Sequence, residues 1–122
     1  MKQIMYTVYG IPNCNTVKKA LDWLNLHGIQ YEFHDYKKKG ITADKLGSWA
    51  AQTGWEALVN KKGTTWRQLD AAAQAEVTGE KAAIALMQEK TSVIKRPLIE
   101  KNNKVVALGF EEDAYQKAFQ KG

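Results

Sequence analysis

The segment that decides the fold lies between residues 4 and 19 and reads IMYTVYGIPNCNTVKK. Its first part, from Ile4 to Tyr9, is apolar and rich in β-branched and aromatic residues, which predicts a buried strand that ends in a turn at Gly10 and Pro12. After the turn, apolar residues recur with the spacing of one helix face, at Val17, Ala20, Leu21 and Leu24. The only cysteine of the chain, Cys14, therefore lies between the first strand and the first helix.

The residues that follow complete a β-α-β unit. Gly28 is suited to end the helix as its C′ residue, because glycine adopts the left-handed conformation without strain. From Ile29 to His34 apolar and polar residues alternate, which is typical of a half-buried strand. A strand, a helix and a strand over about thirty residues predict two parallel strands.

The middle of the chain, from Thr42 to about Lys90, has helical periodicity and no convincing strand pattern. Two apolar helix faces carry this prediction, one formed by Leu46, Trp49, Ala50 and Thr53 and the other by Ala82, Ala83, Leu86 and Met87. Between them, the stretch from Asn60 to Thr65 is rich in turn formers and charge and predicts a loop.

The last part of the chain begins after Arg96-Pro97. Two short apolar runs, at residues 98–99 and 105–108, flank Lys101-Asn102-Asn103-Lys104, which predicts a β-hairpin with an Asn-rich turn. Acidic residues at 111–113 then predict the first turn of a last helix. The predicted class is therefore α/β: one domain over residues 1–122, with a β-α-β unit, a helical insertion at about 42–90, a β-β-α unit and a mixed sheet covered by helices. A thioredoxin-like fold with a helical insertion has this order of elements, but the pattern alone allows other α/β folds as well.

The composition limits the classes of function. The 122 residues are 44% hydrophobic and 25% charged, which is typical of a soluble globular domain. No apolar stretch approaches the ~20 residues of a membrane-spanning helix, and the N-terminus lacks the features of a secretion signal, so we expect a cytoplasmic protein. One cysteine and two histidines predict neither an internal disulfide nor a Cys/His zinc site. The net charge of +5 favours an anionic partner, but the basic residues are spread along the chain, which argues against nucleic acid.

Cys14 is the candidate nucleophile. At a helix N-terminus, free backbone N–H groups and the helix dipole favour the thiolate and lower the pKa of the thiol. The hydroxyl of Thr16 and the ammonium of Lys18 are expected to add a hydrogen bond and a positive potential. The alternative is an inert buried thiol, since free cysteines are among the most buried side chains. Position alone leaves both interpretations open.

Several segments resemble the arsenate-reductase-like (ArsC/Spx) family, most closely its YffB-like branch of small thiol proteins. They are Tyr9-Gly10-Ile11-Pro12-Asn13-Cys14, HDYKK at 34–38, NKKGTTWR at 60–67, AIALM at 83–87 and IKRPL at 94–98. The resemblance covers nearly the whole chain and implies a thioredoxin-like fold. It also implies that Cys14 is the nucleophile, that Arg96 binds an anion and that Pro97 is a cis proline.

The predicted substrate- or glutathione-binding residues combine the resemblance with nearness to the thiol. The resemblance implies Arg96 and Pro97, and position in the chain adds the neighbours of these residues and of Cys14, namely Asn13, Asn15, Thr16, Lys18 and Lys95. Glutathione is the expected co-substrate, with no bound cofactor and no metal, and glutaredoxin is a further candidate partner. The alternatives are a solvated surface arginine at position 96 and an ordinary trans proline that opens a strand at position 97.

Two departures from the family pattern guide the functional prediction. Glutathione-linked arsenate reductases of the family carry further arginines that hold the oxyanion, whereas this chain has Asn60 and, near the end of the hairpin, Gly109 or Phe110. Val17 stands where some Spx-type regulators carry the second cysteine of a Cys-x-x-Cys switch. We therefore expect a glutathione-dependent thiol reductase. The alternatives are a non-catalytic Spx-like regulator that binds a protein partner such as RNA polymerase, and an arsenate reductase.

Overall fold

The computed structural model of the chain describes residues 6–119, so Ile4 and Met5 of the predicted first strand lie outside the described residues. The chain forms two compact units. The sheet unit runs up to Tyr36 and resumes at Arg96, and the helical unit is Lys37–Lys95. A single domain over residues 1–122 stays a prediction.

The elements follow the predicted order of a β-α-β unit, a set of helices and a β-β-α unit. They are β1 (Tyr6–Gly10), α1 (Asn15–Leu26), β2 (Tyr31–Asp35), α2 (Tyr36–Lys39), α3 (Ala43–Thr53), α4 (Trp55–Leu58), α5 (Thr64–Arg67), α6 (Ala71–Ala75), α7 (Glu80–Glu89), a 3-10 turn (Thr91–Val93), β3 (Leu98–Lys101), β4 (Lys104–Leu108) and α8 (Glu112–Phe119). The order confirms the predicted α/β class.

The sheet unit contains a four-stranded mixed sheet with the strand order β2-β1-β3-β4. β1 and β2 are parallel, as the helical connection between them predicts. β3 runs antiparallel to both β1 and β4. This pairing brings the end of β1, which leads to Cys14, beside the beginning of β3, which follows Arg96-Pro97.

One face of the sheet is covered by α1 and α8. Of the predicted apolar stripe of α1, Val17, Ala20 and Leu24 are buried and Leu21 is half-buried. Trp23, which the predicted stripe did not include, is buried with them. Val8 of β1 and Ile99 of β3 pack with this stripe and with Tyr115 of α8 in one apolar cluster. Burial of this kind is the main contribution to folding, since a fully buried large apolar side chain contributes about 1.5–3 kcal/mol.

The C-terminal end of α1 and the hairpin turn have the backbone conformations that their residues predict. Gly28 has a φ of +69° directly after the C-cap residue His27, as expected of a glycine at C′. In the hairpin, Asn102 and Asn103 both have positive φ, 53° and 66°, as the two central residues of a type I′ turn require.

In the helical unit, the predicted apolar face of α3 is buried at Leu46, Trp49 and Ala50. On α7 the same holds for Ala83 and Met87. The predicted loop from Asn60 to Thr65 is wrong at its end, because Thr64 and Thr65 already belong to α5. A short helical turn with one buried residue, Trp66, has too few residues to show the apolar periodicity of a helix.

Candidate active site

Cys14 is the N-cap residue of α1, with the extended backbone of a cap position (φ −131°, ψ 124°). Its carbonyl accepts a hydrogen bond from the backbone N–H of Lys18 at 3.0 Å, which closes the first helical turn. The side chain is half-buried and carries a free thiol. The thiol therefore lies at the predicted place, the N-terminal end of the helix that follows β1.

The turn between β1 and α1 is held close to the helix by Gly10. A Cβ atom at position 10 would lie 3.0 Å from Cγ2 of Val17, closer than ordinary van der Waals contact. Val17 itself is fully buried. The end of β1 and the first turn of α1 thus pack against each other with no space for a larger residue, which fixes where Cys14 enters the helix.

Arg96 is the cation that acts on the thiol. It is half-buried, and the peptide bond that joins it to the buried Pro97 is cis, as the family resemblance implies. The guanidinium hydrogen-bonds to the Cys14 sulfur and also acts on it through its charge. The interpretation of Arg96 as a solvated surface arginine and that of Pro97 as a trans proline are therefore wrong.

The pKa of the Cys14 thiol lies below its ordinary value as the balance of opposing effects. Partial burial, the largest single effect, raises the pKa because it disfavours the charged thiolate. The backbone N–H of Val17, the hydrogen bond and charge of Arg96, and the backbone N–H of Thr16 lower the pKa, and together they outweigh burial. The side chain closes no capping hydrogen bond, so these N–H groups act without regular cap geometry.

Two details of the expected thiol environment are different in the structure. Thr16 acts on the sulfur through its backbone N–H, whereas the sequence suggested its hydroxyl. Lys18 contributes its backbone N–H to the Cys14 carbonyl, and its side chain is exposed. The reason is geometric: the first-turn N–H groups of a helix point toward the cap residue, while side chains at these positions project outward.

The other predicted binding residues have no contact with the thiol that the described structure shows. Asn13 and Asn15 are exposed neighbours of Cys14 in the chain. Lys95 belongs to the helical unit, where its backbone N–H donates to the carbonyl of Leu58 at 2.7 Å, and its side chain is exposed. Their roles in binding glutathione or substrate stay predictions.

A buried polar pair in the same unit was missed by the sequence reasoning. The hydroxyl of Tyr9 donates to Oε1 of Glu100 at 3.0 Å, and Glu100 is only 5% exposed. Burial, followed by this hydrogen bond and the Glu100 charge, raises the pKa of Tyr9, so its hydroxyl stays protonated and remains a donor. The available signal was a glutamate directly after the apolar pair Leu98-Ile99, where a buried strand would otherwise continue with an apolar residue.

The residues that stand where the resemblance implies further arginines have local structural roles. Oδ1 of Asn60 accepts the backbone N–H of Lys62 at 3.2 Å and so shapes its own turn. Gly109 has a φ of +83°, which favours glycine, and is buried. The neighbouring Phe110 packs edge to face on Tyr115 at a centroid distance of 4.8 Å. None of the three residues carries a charge for an oxyanion.

Within residues 6–119 there is no group of three or more His, Cys, Asp or Glu side chains arranged to hold a metal ion. No helix in this described part is long and apolar enough to cross a membrane. The chemistry that the site itself offers is that of a cysteine thiol with a lowered pKa beside an arginine.

Comparisons with known proteins agree with this arrangement. The ArsC family model matches residues 9–118. An uncharacterized protein of Haemophilus influenzae is 44% identical over 115 residues, which are 94% of this chain and 99% of that protein. The solved structure of the YFFB (PA3664) protein is 45% identical, with a TM-score of 0.86 over 93% of this chain and 97% of the other.

A more distant relative has a regulatory name. The global transcriptional regulator Spx of Streptococcus mutans is 28% identical over 111 residues, which are 89% of this chain and 79% of that protein. The structural match confirms the predicted thioredoxin-like fold, and the family match spans both the Cys14 turn and the Arg96-Pro97 segment. On this evidence the chain belongs to the ArsC family.

Proposed function

We propose that the protein is a glutathione-dependent thiol oxidoreductase with Cys14 as its nucleophile. The observation that carries the proposal is the half-buried Cys14 thiol at the start of α1, hydrogen-bonded to Arg96 and with a lowered pKa. A thiolate attacks sulfur far better than a thiol does, and a lowered pKa increases the thiolate fraction near neutral pH. Membership of a family named for arsenate reduction is consistent with thiol chemistry.

The proposed reaction proceeds through two exchanges. The Cys14 thiolate attacks one sulfur of a disulfide substrate, a new S–S bond forms to Cys14, and the other sulfur leaves as a thiolate that takes a proton from solvent. The thiolate of glutathione then attacks the substrate-derived sulfur of this mixed disulfide. Cys14 leaves as a thiolate, and the substrate sulfur is released as a mixed disulfide with glutathione. A second glutathione thiolate attacks the glutathione sulfur of this product, which gives oxidised glutathione and the second substrate thiol, so two glutathione molecules together supply the two electrons that reduce the disulfide.

Glutathione enters the proposal because the chain has no second cysteine. The residue three positions after Cys14 is Val17, which is fully buried in the apolar core. An adduct on Cys14 therefore needs an external thiol to resolve it, and glutathione is the abundant small thiol of the cytoplasm. We accordingly place the protein in the cytoplasm and propose glutaredoxin as a further reductant.

The test is the intact mass of the protein after incubation with oxidised glutathione. We expect one glutathione on wild-type protein, removal of the adduct by reduced glutathione, and no adduct on Cys14→Ser. A wild-type protein that stays unmodified under conditions in which the thiol reacts with iodoacetamide would contradict glutathione as the co-substrate.

Two alternative functions belong to the same family. The likeness to Spx supports a regulator that binds a protein partner such as RNA polymerase, and co-purification of such a partner with both wild type and Cys14→Ser would favour it.

An arsenate reductase is less well supported, because Asn60 and Gly109 hold local backbone contacts in place of cations. We expect arsenate turnover with glutathione and glutaredoxin to be slow or absent, since loss of one donor to developing charge can lower a rate by about 10²–10³. Robust arsenate turnover that is abolished in Cys14→Ser would favour arsenate reductase.

A further inference from the structure

Two consecutive hydrogen bonds connect α8 to the segment that carries Arg96. The hydroxyl of Tyr115 donates to the carbonyl of Gly109 at 2.6 Å. The backbone N–H of Gly109 in turn donates to the carbonyl of Pro97 at 2.7 Å. We call this set, Tyr115 with Gly109 and Pro97, the Tyr115 relay.

The last bond of the relay is important because of what proline lacks. Pro97 has no backbone N–H, so its carbonyl is the only backbone group through which this residue can be held by a hydrogen bond. The regular pairing of β3 with β4 begins at Leu98 and Leu108. The Gly109 bond therefore extends the support of the hairpin to the residue that directly follows Arg96.

The relay is held rigidly at its far end. Tyr115 is 1% exposed, and its ring meets Trp23 and Phe110 edge to face, at centroid distances of 5.4 Å and 4.8 Å. Burial raises the pKa of Tyr115, so the hydroxyl remains a donor over the working pH range. At the centre of the relay, Gly109 has a φ of +83°, a conformation that side chains with a Cβ atom adopt only with strain.

A purely structural explanation accounts for the ring but not for the hydroxyl. A phenylalanine would fill the same aromatic environment, whereas the hydroxyl makes a short bond to a backbone carbonyl that leads toward the site. The carbonyl and the N–H of Gly109 belong to two peptide groups that meet at its Cα atom, so the two bonds are coupled through the backbone conformation of Gly109. The Tyr115 bond restricts the rotation of that backbone and so helps to keep the Gly109 N–H aimed at the Pro97 carbonyl.

We propose that Tyr115 is a positioning residue for the Cys14 site: its hydroxyl fixes Gly109, Gly109 fixes the Pro97 carbonyl, and this sets the direction in which Arg96 reaches the Cys14 sulfur. The proposal rests on the proposed use of Cys14 as the nucleophile. Its effect on the thiol is measured without glutathione, so the two proposals fail separately.

The experiment compares the pH dependence of Cys14 alkylation by iodoacetamide in wild type, Tyr115→Phe and the matched control Tyr31→Phe. Tyr31 is a half-buried tyrosine of β2 that lies outside the relay. We expect the midpoint of the profile to move upward in Tyr115→Phe, but by less than the displacement that Arg96→Ala causes, since a misplaced guanidinium keeps part of its effect. In Tyr31→Phe the midpoint stays at the wild-type position.

The decisive comparison is the same substitution in an Arg96→Ala background. Tyr115→Phe removes a buried hydrogen bond and is expected to lower the melting temperature in both backgrounds. In the Arg96→Ala background it is expected to leave the alkylation midpoint unchanged, because the residue that Tyr115 positions is absent. Equal midpoint displacements in both backgrounds would overturn the proposal, and so would a lowered melting temperature with an unmoved midpoint when Tyr115→Phe is made in the otherwise wild-type protein. If Tyr115→Phe does not fold, Gly109→Ala perturbs the relay at its centre through backbone strain and is expected to displace the midpoint in the same direction.

Discussion

The Arg96→Ala substitution tests the electrostatic basis of the site directly. It removes the guanidinium that hydrogen-bonds to the Cys14 sulfur and keeps the adjoining Pro97. Hydrogen bonds to charged groups contribute about 1.5–3 kcal/mol, and the half-buried position of the thiol favours the lower end of this range. About 1.5 kcal/mol corresponds to an approximately tenfold lower ratio of thiolate to thiol at a fixed pH below the midpoint.

The measurable effect on rate is smaller and changes sign with pH. A more basic thiolate is intrinsically more nucleophilic, with a Brønsted coefficient of about 0.4–0.5, so a tenfold lower thiolate ratio gives an approximately threefold slower alkylation at low pH. Above the midpoint both proteins are fully ionised, and the variant is expected to react about threefold faster. The pH–rate profiles of wild type and Arg96→Ala should therefore cross.

The assay is iodoacetamide alkylation followed by intact mass over a pH series, with the fold checked by circular dichroism. Arg67→Ala is the matched control, because Arg67 is an exposed arginine of the helical unit. Arg96→Lys is expected to lie between wild type and Arg96→Ala, since an ammonium keeps the charge but lacks the planar guanidinium. Parallel profiles that do not cross would refute the conclusion that Arg96 stabilises the thiolate.

Two further predictions concern stability. The lowered pKa of Cys14 means that the folded state binds the thiol proton more weakly than the unfolded state, so the stabilisation is present above the ordinary cysteine pKa of about 8.5 and is lost as the pH falls through the folded-state pKa. In urea unfolding, the free energy of unfolding of wild type minus that of Cys14→Ser should rise with pH between these two pKa values. Serine is a good N-cap residue, which adds a constant offset to this difference. A difference that does not change with pH would contradict the lowered pKa of Cys14. Gly47→Ala, in the interior of α3 with nothing within 4 Å of the added Cβ, should raise the free energy of unfolding by about 0.5–1 kcal/mol. Gly28→Ala, at a φ of +69°, should lower the free energy of unfolding by about 1 kcal/mol. Thermal melts compare the two variants, and a change of the same sign in both would contradict the assigned backbone conformations.

Local patterns in the sequence were enough to predict the elements that surround the site. The apolar run before Gly10, the helical stripe from Val17 and the Asn-Asn turn of the hairpin each carry a short-range signal, and the structure places β1, α1 and the β3–β4 hairpin accordingly. The position of Cys14 follows from the same signals, because a turn between a strand and a helix defines the N-cap. The short helices of the helical unit were harder to predict, since four or five residues do not complete a helical period.

Contacts between distant parts of the chain were not visible in the periodicity. The pairing of β1 with β3, which brings the Arg96 segment beside Cys14, was not predicted, and the role of Arg96 was known only as an implication of the family resemblance. The bond between Tyr9 and Glu100 was missed because nothing local to either residue specifies its partner, and β3 is irregular between Ile99 and Glu100, which shifts the simple alternation of faces. The direction of a first-turn N–H group likewise depends on backbone geometry, which the identity of Thr16 does not reveal.

The discontinuous sheet unit has a consequence for the time at which the thiol becomes reactive. Tyr9 and Glu100, its hydrogen-bonded partner in the sheet, are 91 residues apart, and the whole helical unit lies between the two segments of the sheet unit. During synthesis Cys14 leaves the ribosome long before Arg96 exists, and closing so long a loop must precede any contact between them. Until then the thiol lacks its arginine, and its reactivity stays closer to that of an ordinary cysteine. The incomplete chain therefore undergoes premature disulfide exchange more slowly than the folded protein.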